Sequence, residues 1–186
     1  MSQVLLLIYP TFSEFEVTVA TTILAKAFDV VTIGLDLSPV ASEGGLACLP
    51  HDTISSVDPE ECAGMIIPGA PEFRPVFESE PLARLVRALD ASGKPLAAIC
   101  GGPAMLAKAG ALHGRRYTAS LPPEHRSFLG MPEEGFTEED LVQDGHILTA
   151  TGQAYVEFGL ATSRLFGYFR DEEHFDRVAA FYRNQR

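Results

Sequence analysis

The chain has 186 residues and a formal net charge of −11, with an isoelectric point of about 4.8. At 46% hydrophobic and 21% charged it has the composition of a globular protein long enough to bury a core, and one domain, 1–186, is the expectation. The acidic balance argues against a nucleic-acid partner, and Arg115-Arg116 is the only tight basic pair.

In chain order, residues 4–9 form an apolar run that reads as a buried strand. It has no basic residues ahead of it and stops at Pro10, too short for a signal peptide or a membrane span. Residues 13–28 read as a helix, 30–35 as a second strand, 46–49 as a short strand, and 63–67 as a strand stopped by Pro68-Gly69. An amphipathic helix follows at 80–91, with Leu82, Leu85, Val86 and Leu89 on one face. The run 96–99 reads as a strand, 104–109 as a helix, and the Pro- and Gly-rich stretch 121–135 as an irregular loop. Residues 141–143 and 146–149 flank Asp144-Gly145, a hairpin signal, and helices at 155–166 and 172–182 finish the chain. Short apolar strands alternating with helices predict an α/β fold, a mostly parallel sheet covered on both faces.

Ligands in such folds bind past the carboxyl ends of the strands. The stretches there are 9–16, Gly69-Ala70, Cys100-Gly101 and 149–152. Cys100 stands out among them. It lies between the strand at 96–99 and Gly101-Gly102-Pro103, where a strand turns sharply into a helix. Such an elbow projects the side chain outward, and the helix N-terminus favours thiolate, predicting a lowered thiol pKa. Cys48 and Cys62 lack this setting and read as small hydrophobes. The three cysteines are widely spaced with no CxxC, which argues against a disulfide framework or zinc site and fits a reducing, cytoplasmic compartment.

Glu16 carries two readings. Ser13-Glu14-Phe15-Glu16 has the form of a capping box, with Ser13 as N-cap and Glu16 at the third helical position. The other reading sets the Glu16 carboxyl beside Cys100, where burial would raise its pKa and let it move a proton. N–H groups of Gly69, Ala70 and Gly101 are then the candidate oxyanion donors. There is no GxGxxG after a strand, no P-loop and no GxSxG, so no cofactor and no metal are expected.

The elbow string Ala97-Ala98-Ile99-Cys100-Gly101-Gly102-Pro103, the strand end Ile66-Ile67-Pro68-Gly69 and Glu16 in the first helix resemble the ThiJ/PfpI family. That family lies within the class I glutamine amidotransferase-like superfamily and includes the parkinsonism-associated protein deglycase. Residues 114–118, the stretch 144–152 and Glu157-Phe158 match it as well. The resemblance implies a flavodoxin-like sandwich, a homodimer, Cys100 as nucleophile or redox thiol, and Glu16 as its protonated partner. It implies glyoxalase-, deglycase- or amidase-like action on a small carbonyl or amide substrate; a membrane partner is not expected, the N-terminal apolar run being too short to span one. A non-enzymatic oxidative-stress, redox-sensing or chaperone-like role for the same cysteine is the alternative.

One departure matters. Protease-like members carry histidine directly after the cysteine, where this chain has Gly101; others carry one where this chain has Ser120. A cysteine–histidine pair supplies the base for acyl transfer, so its absence argues against peptidase activity. Ser120, or His125 in the neighbouring loop, is the candidate third member. His51, His113, His146 and His174 read as turn or surface residues.

Overall fold

The apolar runs lie side by side. The computed structural model describes residues 2–185. Its strands are β1 (Gln3–Leu7), β2 (Asp29–Gly34), β3 (Val40–Ala41), β4 (Ala47–Cys48), β5 (Asp52–Thr53), β6 (Cys62–Ile67), β7 (Leu96–Ile99), β8 (Leu141–Asp144) and β9 (Ile147–Ala150). Seven of them make one sheet in the order β5-β2-β1-β6-β7-β9-β8, parallel except for β8, which runs antiparallel to β9. β3 and β4 pair separately. Every residue of β7 and β9 is buried, as a parallel sheet covered on both faces requires.

The helices are α1 (Phe15–Leu24), α2 (Arg74–Phe77), α3 (Glu80–Ala91), α4 (Pro103–Lys108), α5 (Pro123–Phe128), α6 (Tyr155–Leu165) and α7 (Glu172–Tyr182). α1 packs on α6, with α7 against α6, while α3 packs on α4. The α1–α6 approach is close because Gly159 has no side chain; a Cβ there would stand 2.5 Å from Val19 Cγ1. α3 keeps its predicted bounds, with the Ser79 hydroxyl capping Leu82 N–H. The fold is the mostly parallel α/β sheet covered on both faces that the pattern predicts, in the flavodoxin-like form that the resemblance implies.

Register sets the site. Ile67 pairs with Ala98 and Ile99 with Ala150, and Leu6 pairs with Ile66. The carboxyl ends of β1, β6, β7 and β9 therefore reach the same edge, and the residues just past them meet.

Several details differ from expectation. The stretch 121–135 is not irregular: it holds α5 and a turn of 3-10 helix at Glu133–Gly135. Proline reads as loop-forming, but at the first turn of a helix its fixed φ fits and its missing N–H costs nothing. Arg126 pins this segment from inside. Its buried guanidinium donates to Leu121 O at 2.9 Å and to both Glu133 carboxylate oxygens at 3.1 Å, and lies 3.5 Å above the Phe136 ring. The hairpin turns at Gly145-His146, one residue later than expected, with Gly145 at φ +61° and Asp144 still in β8. α1 ends at Leu24, and single turns carry the chain to Phe28.

Arg126→Ala should therefore loosen 121–136 and leave the sheet intact. We expect a loss of about 1–3 kcal/mol, which is a fall in Tm of roughly 2–4 °C per kcal/mol. New proteolytic cuts should fall between 121 and 136. Unchanged Tm and unchanged digestion would show that Arg126 holds nothing.

Candidate active site

Cys100 follows β7 directly and takes φ +62°, a region that favours glycine. Such a conformation costs on the order of 1–3 kcal/mol and persists only where neighbours enforce it. Two do so here. Cys100 N–H donates to Ala150 O at the end of β9, and Ser120 N–H donates to Cys100 O, both at 2.9 Å. Gly102 completes the turn, since a Cβ there would stand 2.5 Å from Ile67 O. The cysteine is half-buried and its side chain faces the ends of β1 and β6.

Glu16 meets it from α1. Its side chain is buried, with 1% exposure, and Gly69 N–H donates to Glu16 Oε2 at 2.7 Å. The same carboxyl is hydrogen-bonded to the Cys100 thiol. The capping-box reading of Glu16 is thereby corrected. α1 begins at Phe15 with no side-chain cap, and the Ser13 hydroxyl donates instead to Glu43 Oε2 at 2.6 Å. A partner 53 residues away in sequence satisfies the carboxylate better than the local helix end could. Glu14 turns elsewhere and accepts Gly44 N–H.

Two further residues close around the pair. Gly152, past β9, is so near that a Cβ would stand 3.2 Å from Glu16 Oε1 and 3.3 Å from Cys100 Sγ. Its N–H donates to the Ser120 hydroxyl at 2.9 Å, and that hydroxyl also favours the ionised sulfur. Tyr9 is buried beneath, donating its hydroxyl to Pro68 O at 2.9 Å. Both residues lay in strand-end stretches visible in the sequence, but no motif gave either a role.

The candidate oxyanion donors are placed as follows. Gly69 N–H is engaged by Glu16, and Gly101 N–H is directed at the Cys100 sulfur. Ala70 N–H donates to no acceptor among the described residues. A Cβ on Gly69 would stand 2.8 Å from Cys100 Cβ, so the two segments touch. His125 sits exposed on α5 and lines a cleft with Phe73 and Phe77. Among the described residues no histidine is one of the groups that set the charge of Cys100. His146 instead meets Asp90 at 2.7 Å, and His51 meets Thr32. No three His, Cys, Asp or Glu side chains converge as metal ligands among the described residues.

The electrostatics reverse one expectation. The elbow predicted a lowered thiol pKa, yet Cys100 is pushed up to about 12 by burial, by the charge of Glu16 and by its hydrogen bond to that carboxylate. Gly101 N–H and the Ser120 hydroxyl pull the other way and are outweighed. α4 is only six residues long, so the helix end is a weak counterweight. Glu16 is itself raised above the ordinary carboxylate value, chiefly by burial. Two acids this close titrate as a pair. The charge of either one opposes ionisation of the other, so the thiol keeps its proton wherever Glu16 is ionised.

Comparison with known proteins places this arrangement. The sequence pattern of the DJ-1/PfpI family matches residues 2–165. A deglycase of Pyrococcus horikoshii is 28% identical over 121 residues, covering 65% of this chain and 72% of the relative. An isonitrile hydratase of Pseudomonas putida is 27% identical over 171 residues, covering 87% and 71%. The crystal structure of oxidised Toxoplasma gondii DJ-1 superposes with a TM-score of 0.81 at 25% identity, covering 97% of each chain.

The buried carboxylate makes a stability prediction. A raised folded-state pKa means that the charged form of Glu16 is penalised by folding; the penalty is present at neutral pH and vanishes below the unfolded value near 4.5. Glu16→Gln should therefore raise Tm by a few degrees at pH 7, corresponding to roughly 0.5–2 kcal/mol. The difference should shrink as pH falls toward 4. A lower Tm for the variant at pH 7 would contradict this.

Proposed function

Because the chain belongs to the DJ-1/PfpI family, we propose that it is an enzyme whose Cys100 sulfur attacks a small electrophilic carbon while Glu16 takes the thiol proton. The observation that carries this is the buried Cys100–Glu16 pair, fixed by Gly69 N–H and lacking any histidine among the groups that face the sulfur. That the relatives are named deglycase and isonitrile hydratase supports an enzymatic reading.

For an α-oxoaldehyde the steps balance as follows. The sulfur–carbon bond forms as the carbonyl π pair moves onto oxygen, and the thiol proton passes through Glu16 to that oxygen, giving a hemithioacetal. Ala70 and Gly101 N–H groups stabilise the developing negative charge. Glu16 then removes the hydrogen on the attached carbon as a proton and returns it to the neighbouring carbonyl carbon, while the hemithioacetal hydroxyl proton passes to the neighbouring carbonyl oxygen. The first carbon is oxidised to a thioester as the second is reduced to an alcohol. Water cleaves the thioester, releasing a 2-hydroxy acid and restoring the thiol. A raised thiol suits this scheme: Glu16 supplies thiolate as the bond forms, so no standing thiolate is needed. Ser120 tunes the sulfur, and His125 contributes no proton. Residues 1–186 act as one domain, with a second copy of the chain as partner and no cofactor.

Turnover of methylglyoxal tests it. Cys100→Ser should abolish consumption, while Cys48→Ser should leave it unchanged. Glu16→Gln should lower kcat/KM by about 10²–10⁴-fold. Wild-type kcat/KM should fall as pH is lowered through the raised Glu16 value, earlier than for an ordinary carboxylate. Undiminished turnover by Cys100→Ser would end the proposal.

The redox alternative makes the opposite demand. Oxidation follows thiolate character and exposure; Cys48 and Cys100 are both half-exposed, and the Cys100 thiol is pushed up. Dilute peroxide at pH 7 should therefore add oxygen to Cys100 no faster than to Cys48, as mass spectrometry would show. Clear preference for Cys100 would favour the redox role.

A further inference from the structure

Tyr9 is a buried titratable group with no part in the scheme above. It follows β1 and is 2% exposed, and burial and the nearby charges of Glu16 and Cys100 hold its pKa well above the ordinary value. The hydroxyl therefore keeps its proton, and it donates to Pro68 O at 2.9 Å. The N–H of that same peptide unit belongs to Gly69 and donates to Glu16 Oε2 at 2.7 Å. One planar peptide is thus clamped from both sides, its carbonyl by Tyr9 and its N–H by the carboxylate.

The clamp has something to resist. Proline followed by glycine suits both type I and type II turns, which differ by a half-rotation of the peptide between the two residues. Gly69 lies outside the left-handed region here, but glycine enters that region without steric cost, so the backbone leaves the rotated form open. Rotation would turn Pro68 O toward Glu16 and set two acceptors against each other whenever the carboxyl is ionised. Pro68 and Gly69 are buried, so without the hydroxyl the carbonyl would lose its donor with no solvent to replace it.

The orientation also sorts the two carboxyl oxygens. Gly69 N–H takes Oε2 and leaves Oε1 on the side of Gly152, where a Cβ would stand 3.2 Å from Oε1 and 3.3 Å from Cys100 Sγ. The next peptide is held as well. Ser13 N–H donates to Gly69 O at 2.9 Å, and Ala70 N–H, on the opposite side of that plane, keeps its aim as a free donor.

We propose that Tyr9 is a positioning residue of the candidate active site. Its hydroxyl holds the Pro68–Gly69 peptide so that Gly69 N–H faces Glu16, and this fixes which carboxyl oxygen carries the proton. The role rests on Glu16 being the base of a cysteine-dependent reaction, as proposed above.

Tyr9→Phe removes the hydroxyl and keeps the ring. In methylglyoxal turnover we expect kcat/KM to fall by about 10- to 100-fold, mostly in kcat. Its acidic limb should move to higher pH, because Gly69 N–H no longer draws the Glu16 value down. Glu43 and Cys100, the other groups whose charge or hydrogen bond bears on Glu16, are untouched by the change. Amide NMR reads the clamp directly. In the wild type the Gly69 N–H resonance should titrate with Glu16; in Tyr9→Phe that response should shrink and amide exchange at Gly69 should quicken. Arg126→Ala, which loosens a different segment, should move neither the limb nor the resonance. A wild-type Gly69 resonance indifferent to Glu16 overturns the proposal without any variant. So does a limb that stays in place in Tyr9→Phe, or that moves no further than in Arg126→Ala. The catalytic assignment fails separately. If the wild type consumes no methylglyoxal while Tyr9→Phe abolishes the Gly69 response, the clamp stands and the base assignment falls. If Cys100→Ser ends turnover while Tyr9→Phe leaves rate and pH profile unchanged, Tyr9 loses its role and the nucleophile remains.

Discussion

A buried carboxyl and a half-buried thiol face each other across a hydrogen bond, and much of the surrounding structure serves that contact. Glu16 on α1 and Cys100 after β7 come from different layers of the fold. They meet because β1, β6, β7 and β9 run parallel and end together. Gly69 and Gly152 leave the space: a Cβ on either would press on the cysteine. The left-handed backbone at Cys100 is held open by Ala150 and Ser120.

The contact decides what kind of nucleophile the cysteine is. A thiol beside a histidine or a long helix N-terminus stores its activation in the resting state as thiolate. Here burial and a neighbouring carboxylate hold the proton on sulfur, and activation comes only when an electrophile draws the electron pair out. The arrangement costs stability at any pH where Glu16 is ionised, because burial disfavours its charge.

Much of this was legible in the sequence. The strands β1, β6 and β7 show as apolar runs ended by Pro or Gly, and the Cys100 elbow is written in Ile99-Cys100-Gly101-Gly102-Pro103. β3 and β5 are two residues long, too short for any periodicity to register. α5 hid behind Pro122-Pro123, because composition cannot tell a proline that starts a helix from one that breaks it. Its anchor, Arg126, acts through Glu133 and Phe136, which only the folded chain brings near. Glu16 was ambiguous for the same reason: its choice between a local cap and Gly69 N–H depends on a partner that sequence spacing does not reveal. The thiol pKa was misjudged in direction, since the elbow shows its N–H donors in the sequence but not the depth of burial or the carboxylate facing it.

Ionisation of Cys100 as a function of pH, followed by thiolate absorbance in a variant with Cys48 and Cys62 replaced by Ala, tests the coupling of thiol and carboxyl most directly. In the background with Glu16 intact, thiolate should form only at strongly alkaline pH, with a midpoint pushed up toward 12. Replacing Glu16 by Gln should move that midpoint clearly downward, because the opposing charge is gone. A midpoint at or below that of a free thiol with Glu16 intact, or one unmoved by Glu16→Gln, would contradict the account.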